Sequence, residues 1–254
     1  MKKIAWLLIL SVLFVACNSD DDSAPQTVTA PSLSFNHDWD GTDITNADFE
    51  TTQFTNANGE QLTLTRLRYL ISNVTFTDAS GNAFSAGAYN LVDVREGTGL
   101  TYTPDLNLPA GAYTVSFRFG FNDEDNVTGA YVDLSSAAWD VPEPLGGGYH
   151  YMQMDGTFMG TTDDNAPYNY HAIRAVDMST TPMTLTDTSF EVVLGQYNVE
   201  LSGGIIEVGM NAAEWFKNPN QWDLNELNTA LMMNYNAQIM MNENGSAGVF
   251  SAVE

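Results

Sequence analysis

The sequence predicts an all-β chain, a single-domain β-sandwich with Greek-key-like connections and one or two short helices near the C-terminus. Three observations carry this. Apolar and polar residues alternate with period two in Leu33-Ser34-Phe35-Asn36-His37-Asp38-Trp39, which places Leu33, Phe35, His37 and Trp39 on one sheet face. The same alternation runs through Tyr113, Val115, Phe117, Phe119 and Phe121 after the turn Pro109-Ala110-Gly111. Short runs of this kind recur between Gly, Asn, Asp and Pro, and one late segment changes to helical spacing.

Between those two strands, Asn58-Gly59 signals a turn, followed by Leu62 and Leu64, then Leu67, Tyr69 and Ile71, then Val74 and Phe76. The phase slips at Arg66-Leu67 and at Asn73-Val74, which predicts bulges or bends. Further strands are expected at 89–94, 149–158, 168–176, 190–194 and 205–210. Asn211 to Phe216 reads as one helical turn. Asp223-Leu224-Asn225-Glu226 has capping-box spacing, and Leu227, Leu231, Tyr235 and Ile239 continue near helical spacing, which predicts a helix from 223. The acidic turns around Asp38, Asp40 and Asp43, at 122–126 and at 163–165 lack the spacing of a calcium loop and read as solvated turns.

Residues 1–16 read as a signal peptide: Lys2 and Lys3 precede a short apolar run that ends at Ala16. Cys17, the single cysteine, follows as in a bacterial lipobox, so acylation of Cys17 and anchoring to the outer membrane are expected. Residues 17–30 form an acidic tether and 31–254 the domain. The protein would then be an outer-membrane lipoprotein, facing the periplasm or the cell surface. Loss of Lys2 and Lys3 takes the formal charge from -24 to -26, leaving Arg66, Arg68, Arg95, Arg118, Arg174 and Lys217 as the basic side chains. Nucleic acid is excluded as a partner, because its binding depends on basic groups that release counterions.

Chemistry is scarce. There is no Gly-x-Ser-x-Gly elbow, no Gly-rich phosphate loop between strand and helix, and no free thiol after Cys17, so nucleophilic catalysis finds little support. The three histidines, His37, His150 and His171, are the candidate metal ligands. His150 would share a strand face with Met152 and Met154, whose thioethers are soft ligands. A hairpin through 160–167 would bring His171 beside His150. A strand histidine is more often a satisfied core or edge residue and methionine an ordinary filler, so spacing leaves both readings open. A metal-free surface module that binds glycan or protein through its five tryptophans and eleven tyrosines is the competing reading.

The ordered segments Leu33 to His37, Thr63 to Asn73, Leu108 to Tyr113, Gly148 to Gly156, Trp215-Phe216 and Asn244 resemble the MbnP-like domain family over most of the chain after about residue 30. That resemblance implies a β-rich, copper-binding envelope protein, with a role in copper acquisition, storage or homeostasis. It implies copper held by histidines and by a kynurenine made from a tryptophan, with a di-haem enzyme of the cytochrome c peroxidase type as the oxidising partner. By the same resemblance His37 and His171 are the matched ligands and His150 the third. Trp39, close to His37, and Trp139, ahead of Gly146-Gly147-Gly148, are the two tryptophans to consider.

Overall fold

The computed structural model describes residues 27–87, 89–200 and 203–253. The expected signal peptide and Cys17 lie outside the described residues. Thr27–Thr29, at the end of the expected tether, already pairs antiparallel with Asn107–Pro109, so sheet pairing begins ahead of Pro31.

Two sheets make the sandwich. The larger, of nine strands, centres on Arg66–Asp78, which is flanked by Gly111–Phe119 and Met152–Phe158. Phe190–Val199 lies beyond Gly111–Phe119, and Ala166–Ala172 pairs with Met152–Phe158. The five-stranded sheet joins Ser32–Trp39 in parallel to Ile205–Asn211, with Phe250–Ala252 outside it. The predicted alternation is the packing rule: Leu33, Phe35, His37 and Trp39 are buried, while Asn36 is exposed. Across the sandwich, Phe35 meets Tyr69 and Phe117 edge to face, and Phe250 of the same smaller sheet packs on Tyr69 and Phe119.

The two phase slips have different causes. At Asn73 the register against Gly111–Phe119 jumps, with Ser116 opposite Thr75 but Arg118 opposite Ser72. Asn73 takes φ 50°, a left-handed conformation that asparagine tolerates, and forms the expected bulge. The slip at Arg66-Leu67 is instead a break between strands: Gln61–Leu62 ends and Arg66–Asp78 begins.

The helix expected from Asp223 begins at Tyr235 and runs to Ser246. Its cap is Asn234, whose side chain accepts the amide of Ala237. The buried carboxylate of Glu60 accepts the amides of Leu224 and Asn225 and the side chain of Asn225, so the capping-box segment is tied to the sheet as a turn. Helix spacing reappears one segment later in the buried residues Ala237, Gln238, Met241, Asn244 and Gly245. Gly245 has no room for a side chain: a Cβ there would lie 2.5 Å from the Trp215 ring and 2.6 Å from Phe190. The turn expected at 211–216 is the 3-10 helix Ala212–Phe216, capped by Asn211.

Candidate metal centre

Period two sorts the three strands at the centre of the larger sheet into two faces. Tyr69, Met152 and Ala172 lie opposite one another in register, as do Leu67, Met154 and Tyr170, and all six are buried in the core. The alternate rows are Arg68–Gln153–His171 and Arg66–Asp155–Asn169, and they occupy the other face. The expected hairpin is therefore present, and it aligns His171 with Gln153.

His150 reaches this second face by a bend. It precedes the strand Met152–Phe158, and a bridge between Asp140 and Tyr149 pairs its segment with the one carrying Trp139. Gly146, Gly147 and Gly148 all have positive φ, a sequence of left-handed residues that only glycine adopts easily. The run is held, not loose. Arg174 donates to the carbonyls of Gly146 and Gly147, Thr128 Oγ1 accepts from Gly148 N–H, and Asn126 accepts from Tyr149 N–H. The hairpin lays Trp139 and His150 over the Arg68–Gln153–His171 row, with both residues almost wholly buried.

The hydrogen bonds define which nitrogens are free. His150 Nδ1 lies 2.9 Å from the Trp139 carbonyl; a carbonyl only accepts, so Nδ1 carries the proton. His150 Nε2 is then an unprotonated lone pair, buried and without a partner. Burial lowers this imidazole to about 4, the nearby His171 and Arg68 lower it too, and the Trp139 carbonyl works in the opposite sense. It is neutral at neutral pH. The His171 ring stands 5.3 Å from that of His150, nearly perpendicular at 84°. Its Nε2 is 2.7 Å from Asp155 Oδ1, so that nitrogen donates and Nδ1 is the one the carboxylate does not engage. Burial raises the Asp155 carboxyl, but hydrogen bonds from His171 and Asn169 and the charge of Arg66 outweigh it and hold it below its ordinary range.

A histidine whose second nitrogen is tied to a carbonyl or carboxylate is the usual form of a metal-ligating histidine. Two such imidazoles meet edge to face here, each with its other nitrogen clear of that bond. Among the described residues no group of three or more His, Cys, Asp or Glu converges. A two-nitrogen set suits an ion that accepts low coordination, such as Cu(I), better than zinc, which takes four ligands. The indole of Trp139 completes the surroundings, 5.8 Å from the His150 ring, with its own Nε1 buried and unpaired. The Arg68 guanidinium sits 4.9 Å from the indole centroid and donates through Nε and Nη2 to Gln153 Oε1.

The expectation that His37 joins His171 is corrected. His37 Nε2 is 3.0 Å from the Tyr69 hydroxyl, and Tyr69 points to the core face of the strand whose Arg68 points to the other. The sheet itself separates His37 from the pair. Trp39 goes with it: it stacks on Phe54, contacts Phe216 and donates to the carbonyl of Thr55. Met152 and Met154 are also corrected. They are core residues, because the bend at Tyr151 turns His150 away from the methionine face. Asp155, Gln153 and Arg68 carry no motif of their own, and the alternation that buries Met152, Met154 and Leu67 is the signal that places them on the opposite face.

Fold and site together define a class: an all-β sandwich with a paired-histidine face on its larger sheet, closed by a tryptophan-bearing hairpin. The chain belongs to the MbnP family, whose sequence model matches residues 28–239. Among solved structures it is similar to MbnP from Methylosinus trichosporium, with a TM-score of 0.48 and 14% identity over 77% of this chain and 79% of that one. No curated protein matches.

Proposed function

We propose that this protein binds one copper ion between Nε2 of His150 and Nδ1 of His171, and that it serves copper acquisition, storage or homeostasis in the cell envelope as a non-enzymatic binding protein. The observation that carries the reading is the unpaired, buried Nε2 of His150 opposite a histidine oriented by Asp155. Leaving a nitrogen acceptor buried without a partner is costly, and a bound cation removes that cost. The donors fit: each imidazole has one nitrogen tied to a hydrogen-bond acceptor and the other clear of that bond, and the Asp155 carboxylate places a negative charge behind one of them. Copper would supply a Lewis-acidic or one-electron centre; the chain's own contribution is to orient the two rings and to bury the pair beside Trp139.

Trp139 is the tryptophan in position for conversion to kynurenine, and a di-haem peroxidase-type enzyme is the partner that would perform it. Acylation at Cys17 would hold the protein at the outer membrane. Metal analysis of protein exported to the periplasm, with intact mass and peptide mapping, tests these points. The reading expects one copper per chain and, where the partner enzyme is present, an oxidised Trp139 with Trp39 unmodified. Protein that carries no copper after export in copper-replete medium contradicts it.

A further inference from the structure

The second feature lies on the other side of the larger sheet and is independent of copper. A cleft of about 740 Å³ opens at the edge of Ser32–Trp39, lined by Ile44, Val94, Leu100 and Val253 with the carboxylates of Asp38 and Asp43. Its volume is in the range of small-ligand sites. It exists because the neighbour of Ser32–Trp39 on that edge is interrupted. Leu33 and Ser34 pair with Tyr102 and Thr101, and Asp38 and Trp39 pair with Asp43 and Thr42. Between them, Phe35 N–H donates to the Leu100 carbonyl and the His37 carbonyl accepts from Ile44 N–H, which fixes the direction in which both residues point.

The Phe35 carbonyl and the His37 N–H therefore face the gap, and neither has a partner among the described residues. A carbonyl and the N–H two residues further along are the pair that one residue of a parallel neighbouring strand satisfies. The gap thus has the hydrogen-bonding complement of a single extended residue. Among the described residues no lysine or arginine lines the cleft, two aspartates do, and the whole chain is strongly acidic.

We propose that this cleft binds a short extended peptide segment with a basic or neutral side chain, added as a one-residue patch of strand beside Asn36. The apolar walls take the flanking side chains, and Asp38 and Asp43 select against acidic ones.

The test is a titration of the isotope-labelled protein, read at the His37 backbone amide by NMR. The probes are acetyl-Ala-Lys-Ala-amide, acetyl-Ala-Glu-Ala-amide and n-butylamine. The lysine peptide is expected to shift the His37 amide saturably at millimolar concentration. The glutamate peptide should bind roughly 2- to 5-fold more weakly, the scale of exposed charge pairs. Butylamine, which lacks an amide, should leave the His37 amide unmoved. Asp43→Asn should narrow the lysine preference, and Val253→Trp should abolish binding with the melting temperature retained. No saturable shift with the lysine peptide, equal binding of the glutamate peptide or of butylamine, an unchanged preference in Asp43→Asn, or full binding by folded Val253→Trp would each overturn the proposal. The peptide comparisons need no variant, so they decide the matter even if Val253→Trp does not fold.

Discussion

His150 and His171 reach the same face by different routes, and each is oriented by a single hydrogen bond: His150 through the Trp139 carbonyl, His171 through Asp155. Replacing Asp155 by Asn keeps the shape and removes the charge. Copper affinity is expected to fall roughly 10- to 100-fold, the usual effect of disturbing the group behind a ligating histidine; a competition titration that finds affinity unchanged would remove Asp155 from the account. The histidines of this site were legible in the sequence, and so was the pairing of the strand after His150 with the strand bearing His171. The identity of the pair was not, because it depends on which face each residue takes. His37 alternates correctly with Phe35 and Trp39, but that same alternation buries it against Tyr69 in the core. His150 escapes the methionine face only because three left-handed glycines and a bend at Tyr151 re-aim the chain, and period two carries no sign of such a bend.

At the level of elements, the strands followed their alternation closely, and the bulge at Asn73 was visible as a phase slip. The helix starts later than the capping box suggests because that box is a local signal, whereas Leu224 and Asn225 are tied to Glu60, distant in sequence. That contact makes a prediction. Glu60→Ala leaves the amide of Leu224 and the side-chain amides of Asn225 and Asn56 without the Glu60 acceptor, while Asn225 N–H keeps Asp223 Oδ1, and the expected loss is about 1–3 kcal/mol in denaturant unfolding. A loss below experimental error would mean that the turn holds itself. The helix itself is fixed by contact with Trp215 and Phe190, so Gly245→Ala should cost about 1–3 kcal/mol through overpacking, despite the better helix propensity of alanine. A stabilised Gly245→Ala variant would contradict the close packing described here.

On the scale of the whole molecule, the larger sheet keeps two polar features apart: the paired-histidine face on one side, and His37 with its cleft on the other. Burial lowers His37 to about 4 from an ordinary 6.5. Between those values the unfolded chain takes up a proton that the folded chain refuses, so stability is full above pH 6.5 and declines as pH falls towards 4. The expected loss from His37 alone is about 3 kcal/mol. In metal-free protein His150 adds loss in the same direction. Denaturation of His37→Phe at pH 7 and pH 4.5 should show a smaller acid loss than the parent chain; an equal loss would contradict the burial argument. The most direct test of the central claim is copper stoichiometry by equilibrium dialysis and elemental analysis of the parent chain and of the His37→Ala, His150→Ala and His171→Ala variants. The account predicts one tightly held copper in the parent chain and in His37→Ala, and none in His150→Ala or His171→Ala. Copper lost from His37→Ala but kept by His150→Ala would contradict it.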